Sequence, residues 1–144
     1  MPRWSRTLYK LFLVSSDRLP KSGEPPMLYA PMLGEPEIWL VNHEDKLYAH
    51  ANICTHLKCR CLVWDESAKI FNCPSHGTQY SADGSYRAGP APRGLDRYEY
   101  SFVNHDQREI ASTYKGEPLN LAHYANAVGV QIYPDRLLMG KLRS

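Results

Sequence analysis

Hydrophobic residues recur along the chain in short runs, and each run ends at residues that favour turns. Residues 37–41 and 46–51 lie on either side of one such turn and predict a β-hairpin. Residues 62–64 and 69–71 predict a second, shorter hairpin. Further along, residues 98–103 alternate with the period of two that is typical of a half-buried strand. The pattern predicts many short strands joined by turns.

The strand pattern continues after residue 103, because a polar turn leads into a further apolar segment at 108–113. Short strands with regular turns predict an all-β fold, either a sandwich or an open barrel. The segment that follows is ambiguous. Residues 117–128 fit a short helix with Pro118 in its first turn, whereas residues 128–133 fit a strand.

Composition and charge narrow the class of protein. The chain has 144 residues, of which 43% are hydrophobic and 22% charged, with a formal net charge of +2. These values predict one folded domain and exclude a nucleic-acid partner bound by bulk charge. Residues 1–10 form a basic tail, and the longest apolar run, at 11–14, is too short to span a bilayer. We expect any membrane anchor to lie outside this chain.

The cysteines indicate a local site. Cys54, Cys59, Cys61 and Cys73 all lie within twenty residues, and no other part of the chain contains a cysteine. Disulfides that staple a whole domain would be spread along its length.

Two of these cysteines belong to short boxes that also contain histidine. The first box is Cys54-x-His56 and the second is Cys73-x-x-His76. Two thiolates and two imidazoles could hold a tetrahedral zinc ion, or a two-iron cluster with both thiolates on one iron. The mixed boxes favour the cluster, because zinc fingers usually pair like ligands.

With these boxes, the chain resembles Rieske iron–sulfur proteins, in particular the high-potential kind of cytochrome bc-type complexes. The resemblance implies one 2Fe-2S cluster per chain, with Cys54 and Cys73 on one iron and His56 and His76 on the outer iron. It also implies a set of residues around the cluster: an apolar shield, a hydroxyl donor to a bridging sulfide, a hydroxyl donor to a ligating sulfur, and a covering proline loop. Leu57 would be the apolar shield, Thr78 the donor to the bridging sulfide and Tyr80 the donor to the ligating sulfur. The covering proline loop would be Gly89, Pro90, Ala91 and Pro92.

The resemblance further implies the Rieske fold, an antiparallel base formed from both ends of the chain with an inserted cluster-binding subdomain. We expect the domain to cover residues 11–113, with the subdomain near 50–93. Residues 114–144 would then be a C-terminal extension, which we expect to dock on a partner subunit.

Three positions depart from the family pattern. Ser75 stands where bc-type members usually have a cysteine that forms a disulfide with the counterpart of Cys59, so that bridge cannot form here. We expect Cys59 and Cys61 to remain thiols, because a bond between them would close a very tight ring. Lys58 stands where the family commonly has glycine.

The function implied by the resemblance is one-electron transfer from a quinol to a c-type cytochrome or similar acceptor. The chain would be the Rieske subunit of a cytochrome bc-like complex, beside a cytochrome b-like subunit, with no standalone catalysis. It would be peripheral on the outer, periplasmic or equivalent, face of an energy-transducing membrane. The alternatives are a soluble cytoplasmic Rieske ferredoxin that supplies an oxygenase or reductase, and a structural zinc module. The remaining histidines are expected at the solvated surface: His43, His50, His105 and His123.

Overall fold

The computed structural model describes residues 11–31, 33–113 and 116–143, and the predicted basic tail at 1–10 lies outside these ranges. The described chain forms two antiparallel sheets, which confirms the all-β prediction. The larger one, called the base sheet here, has seven strands: β1 (Phe12–Ser15), β2 (Met27–Tyr29), β3 (Ile38–His43), β4 (Lys46–Ala51), β9 (Arg97–Val103), β10 (Glu109–Ser112) and β11 (Gly129–Leu138). Its main strand order is β1-β11-β9-β4-β3-β2, and β10 also pairs with β9.

The smaller sheet is inserted between β4 and β9. Its strands are β5 (Val63–Asp65), β6 (Ile70–Asn72), β7 (Gln79–Ser81) and β8 (Tyr86–Ala88), and each pairs with the next along the chain. This meander lies within the range predicted for the cluster-binding subdomain. The fold therefore has the base and the insertion that the resemblance implied.

The β3–β4 hairpin shows how local sequence sets the base. Glu44 and Asp45 both have positive φ, at 53° and 67°. Two such residues form the tight turn whose twist matches that of antiparallel strands. The turn pairs Val41 with Tyr48 and directs alternate residues, Ile38 and Leu40 among them, into the core.

Each part of the fold has its own core. The base sheet packs its inward residues with Leu19 into one cluster. A second cluster lies beneath the loops of the insertion and contains both box cysteines: Val41, Cys54, Leu62, Phe71, Cys73, Tyr80, Ala91 and Leu95. The predicted ligand cysteines are therefore part of the packing that defines the insertion.

The segment after residue 116 contains a strand rather than the helix considered for 117–128. Only Leu121–His123 forms a short 3-10 turn. The backbone of this segment is bonded to the base instead: Leu47 N–H donates to Leu119 O, and Leu121 N–H donates to Asp45 O. Because these groups have partners in the β3–β4 hairpin, they cannot form a helical ladder.

Strand β11 confirms the alternative prediction of a strand and extends it to Leu138. It lies between β1 and β9, with Ile132 opposite Phe12 on one side and Tyr100 on the other. This part of the predicted extension therefore completes the base sheet, and docking of the extension on a partner subunit stays a prediction. None of the helical segments within the described ranges is long and apolar enough to cross a membrane.

His50 is buried, so the prediction that it lies at the solvated surface is wrong. It is 1% exposed on β4, and its Nε2–H donates to Ala82 O at 2.9 Å. The ring stacks on Tyr48 and contacts the edge of Phe71. Burial lowers the pKa of His50 to about 4. The side chain links the base to the inserted sheet as a neutral imidazole.

Candidate metal centre

The first box lies on a loop that follows β4 and is closed by two backbone hydrogen bonds. Lys58 N–H donates to Cys54 O, and Cys54 N–H donates to Cys59 O, both at 2.8 Å. Lys58 adopts a left-handed φ of 56°, which lets the loop return on itself.

The second box lies on a loop between β6 and β7 with the same closure. Gly77 N–H donates to Cys73 O, and Cys73 N–H donates to Thr78 O, again at 2.8 Å. Gly77 has a φ of 79°, so it occupies the place that Lys58 has in the first loop. The two loops therefore present Cys54 and Cys73 in equivalent positions, although their histidines are spaced differently.

The four predicted ligands form an inner and an outer pair. Cys54 and Cys73 are each 1% exposed and belong to no disulfide. His56 is half-buried and His76 is exposed, and their rings lie 4.9 Å apart at 89°. Buried sulfurs beneath paired, more exposed imidazoles match the arrangement expected for a cluster with the histidines on the outer iron.

Two buried polar atoms at this site have no hydrogen-bond partner among the residues that the structure describes. They are His56 Nδ1 and Thr78 Oγ1, and Thr78 is fully buried. An unpaired buried polar atom costs about 1–3 kcal/mol. A metal bound by the imidazole nitrogen and a sulfide beside the hydroxyl would satisfy both atoms, so the residues fit a 2Fe-2S cluster.

Tyr80 contacts the sulfur of the predicted ligand Cys54 directly. Its buried hydroxyl lies 3.3 Å from Cys54 Sγ and accepts a hydrogen bond from Thr55 N–H at 3.1 Å. Burial, together with the neighbouring Cys54, raises the pKa of Tyr80. The hydroxyl therefore keeps its proton and can donate it to the sulfur.

The same contact favours the thiolate of Cys54. Burial raises the pKa of this thiol, but hydrogen bonds from the Tyr80 hydroxyl and the His56 backbone more than offset the effect, and the pKa lies below its ordinary value. The thiolate is the form that binds iron.

The proline loop lies against the second ligand loop. Gly89 has a φ of 100°, and a Cβ on it would lie 2.5 Å from Thr78 Cα, so only glycine allows this approach. Ala91 is fully buried in the second core, while Pro90 and Pro92 are exposed. The loop thus contacts the ligand loop with its glycine and anchors itself with its alanine.

Leu57 lies at the surface of the first ligand loop. Its side chain is 63% exposed, and Lys58 beside it is also exposed. The shielding role that the resemblance implies for Leu57 stays a prediction.

The prediction of two free thiols at Cys59 and Cys61 is wrong, because the structure joins them in a disulfide. The return of the first loop brings their Cα atoms to 5.4 Å, within the range that disulfides span. Ser75 Oγ lies 3.4 Å from Cys59 Sγ, and Cys61 Sγ lies 3.6 Å from Cys73 Sγ. The sulfurs of Cys59, Cys61 and Cys73 all lie within 4.8 Å of one another, at the edge of the centre.

Sequence reasoning missed the residues that hold Tyr80. Thr55 Oγ1 lies 3.0 Å from the Tyr80 hydroxyl and donates to Arg93 O at 2.8 Å. Arg93 in turn forms a two-point ion pair with Asp96. Thr55 stands between the two ligands of its box, which was an available signal, whereas nothing in the local sequence marked Arg93 or Asp96.

Comparison with known proteins agrees with this geometry. Residues 11–99 match the Rieske [2Fe-2S] domain family. The cytochrome b6-f complex iron-sulfur subunit of Chlorobaculum tepidum is 43% identical over 44% of this chain and 34% of its own length. The subunit of the same name from Gloeobacter violaceus is 40% identical over 48% of this chain and 45% of its own. The chain thus spans less than half the length of these curated relatives. It belongs to the Rieske family, and its cofactor is a 2Fe-2S cluster.

Proposed function

We propose that this chain is the Rieske subunit of a cytochrome bc-type complex, which accepts single electrons from a quinol and passes them to a c-type cytochrome or similar acceptor. The names of the relatives, cytochrome b6-f complex iron-sulfur subunits, support this assignment. The observation that carries it is the contact of the Tyr80 hydroxyl with Cys54 Sγ, at 3.3 Å.

The proposed ligands are Cys54 and Cys73 for the inner iron and His56 and His76 for the outer iron. When bound, the cluster supplies a one-electron carrier whose potential falls within roughly −150 to +300 mV for Rieske centres. Supporting this set are the buried free cysteines, the paired histidine rings and the partnerless Nδ1 of His56.

Tyr80 and Thr78 would set the potential towards the upper part of that range. A hydroxyl that donates to sulfur stabilises the state in which the sulfur carries more negative charge, which is the reduced state. Tyr80 lies close enough to donate to Cys54, and the buried hydroxyl of Thr78 has no partner within the described part of the chain. A high potential suits the first acceptor of electrons from quinol.

The two histidines would carry the proton that accompanies the electron. In His56 the partnerless Nδ1 is the atom that would bind iron, which would leave Nε2 as the nitrogen that faces a docked quinol. His76 is exposed, and an imidazole edge at the surface can exchange a proton with a docked quinol. Leu57, also exposed, would contribute an apolar contact at the same surface.

The partners would be a cytochrome b-like quinol-oxidising subunit and the electron acceptor. The chain would lie at the outer face of an energy-transducing membrane, as a peripheral component of this complex.

A soluble Rieske ferredoxin is the second candidate, and Ser75 favours it, because this residue excludes the disulfide that joins the ligand loops in bc-type members. Redox titration distinguishes the two candidates. For the bc-type subunit we expect a potential in the upper part of the Rieske range that falls as pH rises above neutrality, because oxidation lowers the pKa of iron-bound imidazoles. A low potential that is flat between about pH 6 and pH 10 would instead assign the chain to the ferredoxins.

A further inference from the structure

Residues 139–143, called the strap here, run antiparallel to the segment that connects the proline loop with β9. Gly94 N–H donates to Lys141 O at 2.9 Å, and Arg143 N–H donates to Pro92 O at 3.2 Å. The strap thus reaches from the end of β11 in the base to the proline loop in the insertion.

One arm of the strap holds the proline loop through Arg143. Its Nη1 donates to Gly89 O at 2.9 Å and to the Tyr86 hydroxyl at 2.8 Å. The guanidinium also lies over the Tyr86 ring, 5.1 Å from the centroid. The Tyr86 hydroxyl itself donates to Gly89 O at 2.6 Å, so this carbonyl receives two hydrogen bonds. Gly89 is the residue that contacts Thr78 of the second ligand loop.

The other arm reaches the first ligand loop through a chain of hydrogen bonds. Gly140 N–H donates to Asp96 Oδ1 at 2.8 Å, and Asp96 binds the Arg93 guanidinium. Arg93 O accepts from Thr55 Oγ1, which lies beside the Tyr80 hydroxyl. A Cβ on Gly140 would lie 2.1 Å from Gly94 O, so glycine is what allows the strap this close.

We propose that the strap positions both the proline loop and the Tyr80 hydroxyl over the metal centre, and that Arg143 is the positioning residue for the loop. This inference rests on the proposed ligand set. It explains why the strap makes polar contacts with the insertion although β11 belongs to the base.

The test compares Arg143→Ala with Arg136→Ala in the full chain carrying its cluster. Arg136 also lies over a tyrosine ring, that of Tyr133, but it makes no contact with the proline loop, so it is a matched control. We expect Arg143→Ala to lose its cluster to a chelator about fivefold faster than wild type, the factor that corresponds to a hydrogen bond of about 1 kcal/mol. We also expect a shift in the electron paramagnetic resonance signal of the reduced cluster. Arg136→Ala should change neither measurement.

Arg143→Lys should restore part of the retention, because an ammonium can still donate to Gly89 O. If Arg143→Ala does not fold, Tyr86→Phe replaces it, since it removes the other donor to the same carbonyl and should change both measurements in the same direction. Wild-type retention and an unchanged resonance signal in the folded Arg143 variant, or in Tyr86→Phe, would overturn the proposal. The proposed function fails separately, if the wild-type potential is low and independent of pH.

Discussion

Two hydroxyl groups near the cysteines give the most direct test at the scale of single residues. Tyr80→Phe and Thr78→Val should each keep the cluster and lower its reduction potential. Each substitution removes a hydrogen bond to sulfur, and this bond is stronger when the cluster is reduced. A hydrogen bond that is stronger by roughly 1 kcal/mol in the reduced state than in the oxidised state raises the potential of a one-electron couple by about 40 mV. A redox titration that is monitored by visible circular dichroism measures the shift in potential.

Tyr133→Phe is the matched control for this prediction. The Tyr133 hydroxyl also makes a hydrogen bond, at 2.8 Å to Ser101, but it lies in the base sheet. Its loss should leave the potential unchanged. Equal potentials in Tyr80→Phe, Thr78→Val and wild type would show that neither hydroxyl tunes the cluster.

The sequence alone could indicate some of these residues but not their supports. Tyr80 and Thr78 are predictable because they stand four and two residues after His76 in the sequence, and the resemblance to the Rieske family assigns a role to each of these positions. Arg93 and Asp96 reach the site only through the return of the chain from the insertion to β9, and that return is a tertiary event. The burial of His50 escapes prediction for the same reason, because it depends on a tertiary contact with the loop at Ala82.

At the scale of structural elements, the close approach of the two ligand loops can be tested with an engineered disulfide. Ser75 Oγ lies 3.4 Å from Cys59 Sγ, so a thiol at this position would be within reach of a bond to Cys59. Because Cys61 competes for Cys59, the double variant Cys61→Ser/Ser75→Cys is the better design. We expect it to form an inter-loop disulfide that stabilises the protein without iron by up to roughly 3 kcal/mol.

Thiol counting and thermal unfolding, with and without reductant, check the inter-loop disulfide. Cys61→Ser alone is the control, and it should keep Cys59 as a free thiol with no effect of reductant on the melting temperature. If thiol counting finds two free thiols in the double variant besides those of Cys54 and Cys73, the two ligand loops do not lie as close together as in the structure.

Secondary structure was predictable where turn residues mark both ends of a strand. The β3–β4 and β5–β6 hairpins follow this rule, as does β9. Residues 117–128 do not, because their apolar spacing fits a helix while their backbone groups are bonded to the hairpin at Asp45 and Leu47. Periodicity indicates which side chains face the core, and here Leu119 and Tyr124 are partly buried on a segment that forms one short 3-10 turn and no α-helix.

The burial of His50 makes the stability of the whole molecule depend on pH. The folded protein holds this imidazole neutral with a pKa of about 4, whereas in the unfolded chain it is protonated below about 6.5. Its contribution to stability is therefore fully present above pH 6.5 and is lost as pH falls towards 4. The full loss amounts to roughly 3 kcal/mol.

Thermal unfolding at pH 7 and pH 5 of wild type and His50→Gln tests this effect. Glutamine can still donate to Ala82 O but does not titrate, so the variant should lose less stability than wild type between the two pH values. His123→Gln, at an exposed position, serves as the control and should follow wild type. A pH response of His50→Gln as large as that of wild type would contradict the assigned cause.

Removal of iron should affect the two cores differently. The second core contains Cys54 and Cys73, two of the proposed cluster ligands, while the base core contains none of them. We expect the protein without iron to lose hydrogen-exchange protection in both ligand loops together and to keep it in β9 and β11. Protection that falls equally in base and insertion would show that the two parts unfold as one unit.

The pairing of His50 with Arg97 has a consequence for how the insertion is attached. Because paired residues on antiparallel strands lie about 5 Å apart, the chain enters and leaves the insertion at almost the same point. The insertion thus leaves the base sheet from β4 and returns to it at the neighbouring strand β9. A short connection between these two strands would keep the base continuous. Such a two-point junction is a geometry in which a functional segment can be moved onto another antiparallel sheet, but this segment would leave behind Val41 of its core and the contacts of its proline loop with Arg143.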